Sequence, residues 1–436
     1  MRQWAYEIVY GTMEKKQYSD RLFHEIVKKG NPFSAQEKRF LKRLSYGTIE
    51  RCVEMDAILA HFSKVPVRKM TPSVRTVLRM ALYEIRFMDQ IPGAVSCNEA
   101  VELLKAKEGL KHTGFVNGVL RAVLREGDSV VLKEWERMSL PKPLYDHFVS
   151  QYGKKTATKI GEAFLQNNQD VTLHIDTSKI SRETFEKKLR SEKIEVKSAH
   201  YMPDALIVSR VEDVSSLPGY DEGWFFVQDE SSMLPVSCAG IKPGDKVLDV
   251  CSSPGGKAMH ALLCLQGRGL LSARDIRPGK VEKIEENIRR MGYCNTECKV
   301  WDGTVPDPEW KNRADVVLAD VPCSGIGIIG RKPEIKYHAL ETSPSLVPVQ
   351  RQIVESSAEM VKPGGTLIYS TCTIHAAENE ENVQWMVKHL GLEPMPLTPY
   401  LPDTLNNKMT ACGMLQMLPG IQKSDGFFVA KLRKPL

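Results

Sequence analysis

A short apolar strand that breaks into paired glycines, residues 246–257 (Lys-Val-Leu-Asp-Val-Cys-Ser-Ser-Pro-Gly-Gly-Lys), narrows the folds open to this chain. Val247, Leu248 and Val250 form the apolar run of a buried parallel strand, and the run stops at Ser, Pro and two Gly. Gly255 and Gly256 carry no side chains to keep a ligand off the backbone. A helix over Ala258 to Leu265 can then turn its N-terminal amides toward that ligand. Twenty residues after Gly255, the apolar stretch Leu270-Leu271-Ser272-Ala273 leads to Asp275. Doubly wound sheets place a carboxylate at that offset to accept hydrogen bonds from the two hydroxyls of a ribose. The glycine spacing is not Gly-x-Gly-x-x-Gly, which favours a cofactor with a single nucleoside, such as S-adenosylmethionine, over a dinucleotide.

From Ile241 onward strands and helices alternate, with apolar strands expected at 246–250, 269–273, 297–301, 315–319, 366–371 and 427–432. That alternation predicts an α/β, doubly wound and mostly parallel sheet. The chain is 436 residues long with 42% hydrophobic residues, more than one core usually holds, so further domains are expected. Residues 4–125 are helical in pattern: Val74, Val77, Leu78, Ala81, Leu82 and Ile85 keep the three-and-four spacing, as do Phe115, Val116, Val119, Leu120, Val123 and Leu124. Pro66, Pro72 and Pro92 fall in the connections, Ser34 is a candidate helix cap, and Pro141 with Pro143 marks a linker. Beyond it, 144–165 is expected to be helical. The short apolar runs at 171–175, 205–208 and 225–227, with a helix at 185–189, suggest a small α+β connector. Phe225 and Phe226 are its candidate aromatics for stacking RNA bases, beside the alternative of a plain spacer. The expected division is an all-α bundle over 1–140, the connector over 141–232 and the α/β domain over 233–436.

Charge is uneven. Residues 1–140 hold 24 Lys and Arg against 17 Asp and Glu, a balance of +7 that leaves −1 for the remainder. The basic groups include Lys38, Arg39, Lys42, Arg43, Arg68 and Lys69, and a polyanionic partner such as nucleic acid fits them. Ten cysteines at irregular spacing make no disulfide framework, and Cys294 with Cys298 supplies too few ligands for zinc. No metal is expected. Free thiols and the lack of an apolar N-terminal or membrane-length run lead to the expectation of a cytoplasmic protein, away from membranes.

The fourth expected strand runs into Asp320-Val-Pro-Cys323-Ser-Gly325-Ile-Gly327, and the fifth runs through Thr366-Leu-Ile-Tyr-Ser-Thr into Cys372. Open α/β sheets bind ligands beyond the carboxyl ends of their strands, so both thiols are directed at the reactive end of the cofactor. Thiols in that position suit an electron-poor pyrimidine carbon. Cytosine C5 does not attack a methyl sulfonium unaided, but a thiolate added to C6 makes C5 an enamine-like nucleophile. Asp320 can hold a proton near N3, a base must then remove the C5 hydrogen, and a second thiol can assist that elimination. Lys257 is a candidate for lowering the pKa of the attacking thiol.

With those residues in view, the C-terminal half resembles the RNA (cytosine-C5) methyltransferase family, through Asp249-Val-Cys-Ser-Ser-Pro-Gly-Gly-Lys257, Asp320-Val-Pro-Cys-Ser-Gly-Ile-Gly327, Lys332-Pro-Glu-Ile-Lys336, Tyr369-Ser-Thr-Cys-Thr-Ile374 and Asp425-Gly-Phe-Phe428. The N-terminal third is similar to the NusB-type RNA-binding helical domain, through Ala5-x-x-Ile8-Val9, Leu78-Arg79-Met80-Ala81-Leu82-Tyr83-Glu84-Ile85 and Phe115-Val116-Asn117-Gly118-Val119-Leu120-Arg121. Together they resemble the bacterial 16S ribosomal RNA branch of that family. The resemblance implies a monomer acting on free 16S ribosomal RNA or an early assembly intermediate, with the methyl donor held by Cys251, Ser252, Ser253, Pro254, Gly255, Gly256, Lys257 and Asp275. It implies that Asp302 and Asp320 line the cofactor and the target base, that Cys372 is the nucleophile and that Cys323 assists product release. Three departures stand out: Cys-Ser-Ser replaces the family's Cys-Ala-Ala, Arg277 stands where a second carboxylate is common, and Gly330-Arg331-Lys332 replaces a double arginine. A transfer RNA or another ribosomal cytosine remains open as substrate, as does a non-catalytic RNA-binding factor. A dehydrogenase would need the missing dinucleotide glycines.

Overall fold

The helical spacing of the first 125 residues is realised, among the described residues, in the helices Arg2–Lys15, Ser19–Lys29, Ala35–Glu50, Cys52–Phe62, Pro72–Phe87, Gly93–Glu108 and Thr113–Glu126. The structure is a computed structural model describing residues 1–29, 33–166, 170–211 and 213–436. Each helix turns an apolar stripe into one core, in which Ile8, Leu41, Leu44, Leu78, Leu82, Val116 and Leu120 are buried. Burial of each such side chain stabilises by about 1.5–3 kcal/mol. Boundaries follow local chemistry. Ser34 accepts from the Glu37 N–H while the Glu37 carboxylate accepts from the Ser34 N–H, a reciprocal cap, and Pro72 opens its helix behind the Thr71 cap. Lys38, Arg39, Lys42, Arg43, Arg68 and Lys69 are exposed. The helix expected over 144–165 is two, Lys142–Tyr152 and Lys154–Phe164, because Gly153 between them adopts φ 76°.

The chain forms two compact units, and the first combines Met1–Gln166 with a distant segment, Ile329–His338. Within this unit the Tyr337 hydroxyl donates to the Ile49 carbonyl at 2.6 Å, Lys336 Nζ donates to the Glu50 carbonyl, and Ser19 Oγ donates to Glu334 Oε1 at 2.9 Å. Lys336 is buried, and burial lowers its pKa to about 8 against the pull of Glu50.

The second unit holds the described residues of Asn167–Ile328 and Ala339–Leu436. Its smaller sheet is antiparallel, built from β1 (Val171–Ile175), β2 (Glu195–Ser198), β3 (Ala205–Ser209) and β4 (Phe225–Val227) in the order β2-β3-β1-β4. Phe185 and Leu189 of the helix Arg182–Ser191 pack on it. The stacking role considered for Phe225 and Phe226 does not hold. Both are buried, Phe225 stacked on Phe185 at 5.3 Å and Phe226 against His174 at 4.8 Å, so neither ring is open to a base.

The larger sheet contains β5 (Lys246–Asp249), β6 (Leu270–Asp275), β7 (Thr296–Val300), β8 (Ala314–Asp320), β9 (Val361–Thr371), β10 (Glu393–Pro394), β11 (Met414–Met417) and β12 (Phe427–Arg433). Its order is β7-β6-β5-β8-β9-β12-β10, with β11 also paired to β12. Strands β5 to β9 are parallel, and β12 runs antiparallel to β9. This is the doubly wound sheet expected from the alternation, with two short extra strands at one edge. The strand order reverses between β5 and β8, so a ligand crevice belongs at their carboxyl ends.

Candidate active site

The loop after β5 is folded tightly onto its neighbours. Ser252 N–H donates to the Arg274 carbonyl and Gly255 N–H to the Ser252 carbonyl, each at 2.7 Å, and the Ser253–Pro254 peptide is cis. Gly255 has φ 106°, a conformation that side chains rarely adopt, and Gly256 begins the helix Gly256–Leu265. The free amides of that first turn make a cradle for an electron-rich group. Beneath it, Asp249 is fully buried with neither carboxylate oxygen in a hydrogen bond among the described residues, and burial pushes its pKa up to about 7. Burial likewise pushes the Cys251 thiol up, and the buried Ser252 hydroxyl lacks a partner among the described residues.

At the end of β6, Asp275 is buried. One of its oxygens accepts from the Arg277 N–H at 3.1 Å and the other meets Lys280 Nζ at 3.3 Å, leaving lone pairs for a diol. Arg277 itself is exposed. Asp302, in the turn after β7, is exposed and caps that turn through the N–H and Oγ1 of Thr304, at 2.9 and 2.7 Å.

At the end of β8, Asp320 is held from two sides, by Lys257 Nζ at 2.6 Å and by Ser370 Oγ at 2.7 Å. The Lys257 ammonium, which lies over the Phe427 ring at 5.3 Å, is therefore engaged by a carboxylate. Lys257, the candidate for lowering the pKa of the attacking thiol, is thus ion-paired with Asp320.

Past the ends of β8 and β9 the two cysteines converge, with Cys323 Sγ and Cys372 Sγ 3.3 Å apart. The Cys323 thiol is held well above its ordinary pKa, first by the hydrogen bond shared with Cys372, then by burial and by the charges of Cys372 and Glu378. The loops that carry them are tied together: Gly327 N–H donates to the Cys372 carbonyl at 3.0 Å, Gly426 N–H donates to the Gly327 carbonyl at 2.9 Å, and Ser324 Oγ and Thr373 Oγ1 share a hydrogen bond of 2.8 Å.

Sequence reasoning missed the polar residues packed behind these loops. Glu378, Asn379, Asn382 and Gln350 are all fully buried. Asn379 accepts from Thr371 Oγ1 at 2.6 Å and donates to the Thr373 carbonyl at 3.0 Å, bracketing Cys372. The run Glu378-Asn-Glu-Glu-Asn382 looks like a solvated surface, and nothing in its spacing marks which members turn inward. A separate cavity of about 1020 Å³, lined by His174, Asp176, His260 and Tyr293 among others, includes none of the candidate catalytic or cofactor-binding residues.

Residues 238–433 match the family model described as 16S rRNA methyltransferase RsmB/F, residues 1–125 match the NusB family, and residues 140–215 match the RsmF/B-like ferredoxin-like domain. The chain is 32% identical to the probable ribosomal RNA small subunit methyltransferase B of Bacillus subtilis, over 100% of this chain and 98% of that protein. It is 31% identical to the corresponding probable enzyme of Synechocystis, over 99% of each. Among solved structures, PH0851 covers 100% of this chain and 99% of its own at TM-score 0.81 and 22% identity, a likeness of fold. NSun6 from Pyrococcus horikoshii covers 67% of this chain and 98% of its own at TM-score 0.59 and 21% identity.

Proposed function

Because the chain belongs to the ribosomal RNA small subunit methyltransferase B family, we propose that it methylates C5 of a cytosine in 16S ribosomal RNA through a transient bond between Cys372 and C6. It is an S-adenosylmethionine-dependent methyltransferase, and the bound donor supplies an electrophilic methyl sulfonium. The residues present fit that donor. Gly255 and Gly256 offer an open backbone cradle, Asp275 has lone pairs free for the ribose, and the unpartnered oxygens of Asp249 and Ser252 lie beneath the same loop. Cys251, Ser253, Pro254, Lys257 and Asp302 complete the proposed contacts.

The observation that carries the proposal is the 3.3 Å approach of two sulfurs at the ends of adjacent parallel strands. In the proposed reaction, Cys372 thiolate adds to C6 while Asp320, steadied by Lys257 and Ser370, holds a proton at N3. The electron pair freed at C5 then takes the methyl group. Loss of the C5 proton restores the ring double bond and returns the C6–S pair to Cys372. Cys323, which keeps its proton while beside Cys372, assists that last step. The target base has to leave its stack to reach the sulfurs, which favours a loop or opened stem in free RNA or an early assembly intermediate.

The proposal also assigns RNA contact to a basic helical domain over 1–140, a connector to 141–232 and catalysis to 233–436, in a cytoplasmic monomer. Ten free cysteines are in keeping with a reducing compartment. Two substitutions test the roles. Cys372→Ala is expected to abolish methylation, whereas Cys323→Ala is expected to accumulate a protein–RNA adduct that survives denaturing electrophoresis. The reverse pattern would exchange the two roles, and mapping of methylated cytosines with and without the protein identifies the site.

A further inference from the structure

Glu378 is fully buried, and its carboxylate reaches both sides of Cys323. Oε2 accepts from the Ser324 N–H at 2.9 Å and from Gln350 Nε2 at 2.9 Å. The same Gln350 nitrogen donates to the Pro322 carbonyl at 2.9 Å. Pro322 and Ser324 flank Cys323 in the chain, so one carboxylate, with one amide as its extension, fixes the peptide before and after the sulfur. The carboxylate's own backbone is fixed in turn: the Tyr369 hydroxyl donates to the Glu378 carbonyl at 2.6 Å, and Asn382 Nδ2 donates to that hydroxyl at 3.0 Å. Oε1 is buried without a hydrogen-bond partner among the described residues.

An enclosed carboxylate with one bare oxygen is costly, and a glutamine could accept both existing bonds through its carbonyl oxygen without burying a charge. The charge therefore calls for a reason beyond packing.

We propose that Glu378 is a positioning residue for the elimination step, holding the Cys323 sulfur against the carbon that must lose its proton. The inference rests on the preceding reading, in which Cys323 assists release. In that step Cys372 is bonded to C6 and no longer shares its hydrogen bond with Cys323, so Cys323 passes its own proton to water and its thiolate accepts the C5 proton. The C5–H electron pair becomes the C5=C6 π bond, and the C6–S pair leaves with Cys372 as thiolate. A fixed negative charge beside Cys323 makes its thiolate a stronger base, in line with the upward influence of Glu378 on that thiol.

The test compares wild type, Glu378→Gln, which keeps the hydrogen bonds and removes the charge, and Gln350→Ala, which frees Pro322 and keeps the charge. Each is mixed with a 16S ribosomal RNA fragment and labelled S-adenosylmethionine in a single turnover. Methylated RNA, denaturant-stable adduct and cofactor affinity are read for each. Glu378→Gln is expected to slow release at least tenfold and to accumulate methylated adduct, with cofactor affinity within twofold of wild type; Gln350→Ala is expected to do the same more weakly. Wild-type release rates in both variants overturn the proposal, as does lost turnover without adduct or together with lost cofactor binding, the mark of a merely structural role. A wild-type protein that makes no methylcytosine overturns the preceding reading and this one with it.

Discussion

Asp249 shows how one enclosed carboxyl shapes the behaviour of the cofactor loop. Its folded pKa is pushed up to about 7 by burial, against an ordinary 3.8. Between those values the folded chain holds a proton that the unfolded chain releases, so stability from this group is fully present below about pH 4 and is lost as pH rises through 7. Asp249→Asn, which cannot ionise, is expected to flatten the fall in melting temperature of wild type between pH 5 and 8. Thermal melts across that range check it, and parallel curves for the two proteins would show that the carboxyl is ionised throughout in the folded chain, as it is in the unfolded one. Asp249 was legible only as part of a strand, since alternation cannot say whether a polar residue at a strand end is solvated. The two cysteines and Gly255 were legible because their chemistry leaves few other uses at those positions. Glu378 and Gln350 were not, because a buried carboxylate or amide is written in the same letters as an exposed one. Phe225 and Phe226 misled for the converse reason: aromatic rings suit a core as well as a base stack.

At the scale of elements, the buried parallel strands β5, β6, β8 and β9 announce themselves as apolar runs, and their expected positions, with those of the more exposed β7 and the antiparallel β12, agree with the sheet to within a few residues. β10 and β11 escaped notice because their two and four residues are too short for periodicity to speak. What the runs could not convey is how the loops beyond them meet. A Cβ at Gly327 would lie 2.1 Å from the Gly426 carbonyl oxygen and 2.8 Å from that of Cys372, both backbone atoms with no rotamer to yield. Gly327→Ala must therefore part the loops carrying Cys323 and Cys372. We expect a cost of about 1–3 kcal/mol in stability, typical of overpacking, and a loss of methylation much larger than that cost alone would cause. Melting temperature and single-turnover rate measured on one preparation check this; full activity would mean that the loops can separate without disturbing the sulfurs.

At the scale of the whole molecule, the units do not follow the linear order of the chain. The loop that carries Cys323 ends at Ile328, and from Ile329 to His338 the chain belongs to the helical unit before returning. A division into consecutive domains has no means of expressing such an excursion, because Pro333-Glu-Ile-Lys-Tyr337 is too short for a period and its charges look like surface. Yet Glu334 and Lys336 are buried, and Glu334 Oε1 accepts from both the N–H and the hydroxyl of the buried Ser19, at 3.3 and 2.9 Å. Glu334→Ala leaves both Ser19 donors enclosed without their acceptor, at a cost of about 1–3 kcal/mol. Because the segment is a short excursion tied to the helices through Glu334, Lys336 and Tyr337, that loss is expected to appear first as local opening. Limited trypsin digestion should then cut after Arg331 or Lys336 in the variant at concentrations that leave wild type intact. Equal resistance in the two proteins would mean that Tyr337 and Lys336 hold the segment to Ile49 and Glu50 without help from Glu334.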